Sequence, residues 1–101
     1  MNVIWSATAV RHLREAIAFI QSENTKSSAT VRRRVLNTAL RLGQMPYSGR
    51  TGRIEGTREA VVPGVPFIVV YEVSADAVEI LGIWHTARLW PESFGPWNPA
   101  G

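Results

Sequence analysis

A chain of 101 residues has room for one domain, and its 46% hydrophobic content sets it apart from disordered segments. It contains no cysteine, which removes disulfides, thiolate nucleophiles, iron–sulfur clusters and most structural zinc sites, and its two histidines, His12 and His85, lie too far apart in sequence to suggest a metal pair. The net charge is +3 with a pI near 10.2, and arginine supplies every cation except Lys26, which suits either an anionic partner, nucleic acid or an acidic protein, or plain solubility.

In chain order, residues Asn2 to Trp5 are short and β-prone, a first strand. Ser6 then reads as a helix N-cap. Ala9, Leu13, Ala16, Ile17 and Ile20 recur at helical spacing, predicting a helix over 8–23 that Asn24 and Thr25 break. Ser27 or Ser28 caps a second predicted helix, 29–42, with Val35, Leu36, Ala39 and Leu42 on its inner stripe and Gly43 as its C′ residue. The two helices form an αα-hairpin. Residues 43–57 hold four Gly and one Pro and read as one long loop, of the kind that is usually functional or mobile. Strands are predicted over 58–62, 67–73 and 78–85, with a turn at Pro63–Pro66 and a tight one at Ser74–Asp76. The order β-α-α-β-β-β gives an α+β domain, a helical hairpin packed on one face of a mainly antiparallel sheet.

The last two strands are apolar on both faces. Phe67, Val69, Tyr71 and Val73 alternate with Ile68 and Val70, while Val78, Ile80 and Trp84 oppose Leu81 and Ile83. Two helices cover one face only. The other calls for apolar cover, either from the chain's own tail, with Trp90, Phe94 and Trp97, or from another protein.

Two groups of residues could carry chemistry. Arg50, Arg53 and Arg58 lie in and just after the long loop, where forked guanidinium donors can meet phosphate or carboxylate; the plainer reading is surface charge with a salt bridge from Arg58 to Glu79 or Glu72. His85 closes the last strand with Arg88 and Trp90 beyond it, and could shuttle a proton in RNA cleavage while Arg stabilises the phosphorane; the plainer reading is a structural hydrogen-bonder at a strand end. Arg32, Arg33 and Arg34 are consecutive on a helix, fan out by about 100° each and read as a solvated face. No nucleophile elbow, Walker loop or dinucleotide fingerprint is present, and no cofactor or metal is expected. The first 20 residues hold no signal-type apolar run and no stretch is long enough to cross a membrane, so a soluble cytoplasmic protein is expected.

Several segments resemble one known family. Pro46-Tyr47-Ser48-Gly49-Arg50 followed by Gly56-Thr57-Arg58-Glu59 resembles the P-x-x-G-R … G-x-R-E segment of RelE/ParE toxins. Phe67 to Val73 is similar to their Y-x-I-x-Y-x-V strand, and Val78 through His85, Arg88, Trp90 and Pro91 is similar to their closing V-x-I-L-x-x-x-H-x-x-R-x-W-P. The resemblance spans about residues 3–91, implying a single toxin domain over 1–91 and a tail over 92–101.

The resemblance implies the toxin of a type II toxin–antitoxin system, a growth inhibitor neutralised by an acidic antitoxin. Two activities share the fold. RelE-like members cut mRNA on the ribosome, which would make Arg58, His85 and Arg88 catalytic. ParE-like members inhibit DNA gyrase, which would make Arg50, Arg53, Arg58, Arg88 and Trp90 target contacts. The Arg58-Glu59 pair and the Trp90-Pro91 ending resemble ParE more closely, and the third strand opens Pro66-Phe67-Ile68 where the nucleases place Arg. A non-enzymatic binding module for another target is the remaining alternative.

Overall fold

The computed structural model describes residues 1–22 and 25–86. Its elements are β1 (Asn2–Trp5), α1 (Ala7–Gln21), α2 (Thr25–Gln44), β2 (Arg50–Thr51), β3 (Arg58–Val61), β4 (Phe67–Val73) and β5 (Ala77–His85). They build a five-stranded sheet in the order β1-β5-β4-β3-β2, antiparallel except where β1 runs parallel to β5. The helical hairpin lies on one face, as expected. The strand β2 and its pairing with β3 were not expected, because two residues between glycines carry no readable period.

Ser6 caps α1 as predicted: its backbone is extended, and its hydroxyl accepts from the Ala9 N–H at 3.0 Å. Ala9 and Ala16 are buried, and their small side chains let α1 settle closely on the sheet. The second helix is longer than predicted. Ser27 and Ser28 lie inside it, and Ser28 is buried, so packing in the hairpin outweighs their weak helix propensity. Gly43 also lies inside α2, and it is not a C′ residue. A Cβ there would come within 2.9 Å of the Met1 carbonyl oxygen and of Val3, so glycine is required where the helix crosses β1.

The main core joins Ala9, Ala16, Val31, Val35, Ala39 and Leu42 of the helices to Val62, Phe67, Val69, Tyr71, Val78, Ile80 and Ile83 of the sheet side. Each large aliphatic chain buried there contributes about 1.5–3 kcal/mol. Ile83 sits on the face opposite to the one expected. Val70 pairs with Gly82 and Tyr71 with Ile80, so Leu81 is an extra residue, and this β-bulge reverses the alternation beyond it. Ile83 therefore joins the helix-side core, whereas Trp84 and Leu81 face outward with Ile68 and Val70.

The end of β1 explains His12. Strand β1 stops pairing at Trp5 opposite Ile80, which leaves the far half of β5 without a strand on that side. The Ser6 N–H donates to the Ile80 carbonyl at 3.0 Å and its hydroxyl to the Leu81 carbonyl at 3.3 Å. Two residues on, the Ile83 N–H donates to His12 Nδ1 at 3.2 Å. Burial, and then the neighbouring Arg11 charge, lower the His12 pKa to about 4, which keeps the imidazole neutral and able to accept.

Candidate functional site

The segment after α2 is an ordered structure with two turns around β2. Its first turn is bonded from Ser48 N–H and Ser48 hydroxyl to the Met45 carbonyl, at 3.1 and 2.8 Å. The buried Tyr71 ties that turn to the sheet. Its hydroxyl donates to the Pro46 carbonyl at 2.8 Å and accepts from the Gly49 N–H at 3.0 Å. A Cβ at Gly49 would run into this hydroxyl and the Glu59 carbonyl, so only glycine fits. Arg58 braces the same turn, donating to the carbonyls of Tyr47 at 3.1 Å and Gly49 at 2.7 Å, with its guanidinium 5.4 Å from the centre of the Tyr47 ring.

The expected salt bridge from Arg58 to Glu72 or Glu79 does not form. Arg58 pairs with Tyr71, on the helix side, while Glu72 and Glu79 alternate onto the outer face. The acidic partner of the loop arginines is instead Glu59, next in sequence and on that outer face. Its carboxylate is 4% exposed and accepts from Arg50 Nη2 at 3.1 Å, Arg53 Nε at 3.1 Å and the Arg53 backbone N–H at 3.0 Å. Burial alone would raise the Glu59 pKa; the hydrogen bonds from the Arg53 backbone, then its side chain, then Arg50 prevail and hold the carboxyl below its ordinary value. Arg53 also lies over Trp84, with its guanidinium carbon 5.1 Å from the ring centre.

The two arginines remain 59% and 56% exposed, so this assembly presents unfilled N–H donors to solvent beside an aromatic ring. Next to it Ile54, in the turn between β2 and β3, packs with Leu81 and Trp84 over Ile68 and Val70. The long loop itself thus supplies part of the cover expected from the tail or another protein, while Ile4 and Val61 stay exposed on the same face.

The other candidate residues are scattered. His85 pairs with Phe67 at the far end of β4 and meets its ring edge-on at 5.1 Å between centroids. Arg58 pairs with Tyr71, four residues along β4 and on its opposite flank, so the two Cα atoms are on the order of 15 Å apart. Arg88 and Trp90 lie outside the described residues, as does the tail with Phe94 and Trp97. Sequence reasoning did not single out Glu59, Tyr71 or Trp84 as parts of this site; a lone carboxylate on an otherwise apolar strand face was the available signal for Glu59.

A second feature lies on the hairpin. A groove of about 490 Å³ is lined by Trp5 of β1, Val10, Leu13, Arg14 and Ile17 of α1, and Arg32 and Leu36 of α2. Its walls are apolar and its rim carries two guanidinium groups. Among the described residues no helix is long and apolar enough to cross a membrane.

The family model for the ParE toxin of the type II toxin–antitoxin system parDE matches residues 3–90. The chain belongs to the ParE toxin family. A Sinorhizobium fredii protein, Y4kP, provisionally named a toxin, is 39% identical to this ParE toxin over 91 residues, covering 90% of this chain and 94% of its own. A solved chain described as the chromosomal ParDE TA system from P. aeruginosa superposes with a TM-score of 0.77 at 18% identity, over 84% of this chain and 95% of that one. The α+β fold expected from the sequence is therefore the family's fold.

Proposed function

We propose that this ParE toxin arrests growth in the cytoplasm by binding DNA gyrase, without cutting RNA, and that a cognate acidic antitoxin neutralises it. The observation that carries the reading is the separation of Arg58 from His85. A metal-independent nuclease needs a base, an acid and cations around one phosphate, and these two candidates stand on the strands that flank β4, four residues apart along it, with Arg58 committed to bracing a turn. Binding a protein target asks for exposed forked donors and aromatic anchors, which Arg50, Arg53 and Trp84 offer; Arg58, Arg88 and Trp90 complete the proposed contact set. The groove on the hairpin suits an amphipathic antitoxin helix, whose acidic flanks would meet Arg14 and Arg32.

Purified toxin assayed for gyrase supercoiling and for ribosome-programmed mRNA cleavage tests the target. Inhibited supercoiling with intact transcripts is the expected result, and inhibition should survive His85→Ala. Transcripts cut at codons with gyrase unaffected would overturn it in favour of the ribosome-dependent endonuclease. For the antitoxin, Leu13→Asp in the groove should weaken a co-expressed toxin–antitoxin complex by tenfold or more, on the order of 1.4 kcal/mol.

A further inference from the structure

We infer that Glu59 is a positioning residue, which sets Arg50 and Arg53 beside Trp84 as a rigid receptor for carboxylate groups of an acidic protein segment. This deepens the reading of Arg50 and Arg53 as partner contacts and rests on it. Arginine side chains on a surface loop normally sample many rotamers, and ordering each on binding costs about 0.5–1.5 kcal/mol. Here the ordering is already done. Glu59 is buried at the foot of the pair, its two oxygens engage both guanidinium groups and the Arg53 backbone, and the Arg53 guanidinium rests over the Trp84 ring. One carboxylate against two guanidinium groups leaves an excess of one positive charge, with unfilled donors facing outward.

The surroundings favour carboxylate over a nucleic-acid backbone. A phosphate chain brings a charge every few ångströms and needs a track of cations. On this face the track is interrupted: Glu72 stands opposite Glu79 on β4 and β5, with Glu72 only two residues along β4 from Val70, the partner of Glu59. The apolar neighbours Ile54, Leu81 and Trp84, with exposed Val61, suit a segment that mixes acidic with apolar side chains.

The test uses the whole chain uniformly labelled with nitrogen-15 and titrated by NMR with a short oligo-glutamate, or with an oligothymidylate of equal length at the same ionic strength. The Arg50 and Arg53 Nε–H signals and the Trp84 indole should move with oligo-glutamate and much less with oligothymidylate. Glu59→Gln makes the protein more positive, so charge alone would tighten binding of the acidic probe. Positioning requires the opposite, a loss of about fivefold, measured well below the variant's melting temperature, with part of the affinity recovered in Glu59→Asp. If Glu59→Gln does not fold, Arg53→Lys keeps the charge, loses the fork, and should weaken binding about threefold. Equal or tighter binding by the variant used, tighter binding of oligothymidylate, or signals that move only elsewhere would each overturn the inference. No gyrase is present in these titrations, so a failure of the gyrase reading in the supercoiling assay stays separate from their outcome.

Discussion

Among the described residues, His12 and Glu59 are the two buried ones whose ionisation the fold shifts, one 5% and the other 4% exposed, and they meet burial in opposite ways. His12 gives up its charge. Wedged between α1 and β5, it stays neutral and uses Nδ1 to accept from an N–H that the sheet leaves without a strand partner. Glu59 keeps its charge and draws two arginines and a backbone N–H around it. The first solution closes a gap in the backbone hydrogen bonding, a purely internal matter. The second leaves an ordered cationic surface on the outside. On the proposed reading, a buried titratable group marks a partner-facing site here only where its compensating charges are themselves exposed.

The comparison is sharpest at the His12 end. His12→Ala removes a buried ring and orphans the Ile83 N–H, and should cost about 3 kcal/mol in urea unfolding at neutral pH. A loss under 1 kcal/mol would mean that the contact is incidental.

Acid separates the two groups next. The folded-state pKa of His12 is depressed, to about 4 from 6.5, so between those values the unfolded chain binds more protons than the folded one. Its contribution is complete above pH 6.5 and is lost as pH falls toward 4. Allowing for solvent screening, that loss is about 2 kcal/mol. His12→Gln, which removes this titrating ring, should flatten this limb. Glu59 acts in a lower window: its contribution is present above the ordinary Glu value of 4.5 and disappears as pH drops through its depressed pKa. Stability that falls over 6.5 to 4 in His12→Gln as steeply as in the parent would break the assignment.

At the Glu59 end the expected cost is smaller, because the arginines can turn to water. Glu59→Ala should lose about 1–2 kcal/mol in stability, yet it should reduce partner binding more than its stability cost suggests, as surface plasmon resonance below the melting point would show. The smallest effect is expected at Ser6, which caps α1 and donates to the carbonyl of the bulged Leu81. Ser6→Ala should cost about 1 kcal/mol and lower the melting temperature by about 4–8 °C.

Much of this could be read from the sequence, for reasons that are local. The alternation of Phe67 to Val73, the helical spacing of Ala9 to Ile20 and the Ser6 cap each rest on period or on a single residue's hydrogen bonding, and β4 spans the residues predicted. Other outcomes were invisible in the residues themselves. The bulge at Leu81, which moves Ile83 into the core and Trp84 out of it, depends on which residues of β4 stand opposite, and no one-strand pattern records that. Likewise Ser28 and Gly43 look like helix boundaries by propensity and lie inside α2, because the hairpin and the close passage over β1 decide the matter.

The site divides in the same way. Sequence alone determined that arginines would crowd a glycine-rich segment after the second helix, since residue type and chain position suffice for that. Only the tertiary structure decided which of them act together. The alternation of β3 sends Arg58 and Glu59 to opposite faces, so neighbours in sequence serve different ends: Arg58 braces the turn under Tyr71, and Glu59 gathers Arg50 and Arg53 beside Trp84. The physical reason is that an ion pair or a stacked ring depends on distances across strands, which are fixed only once the sheet has chosen its register.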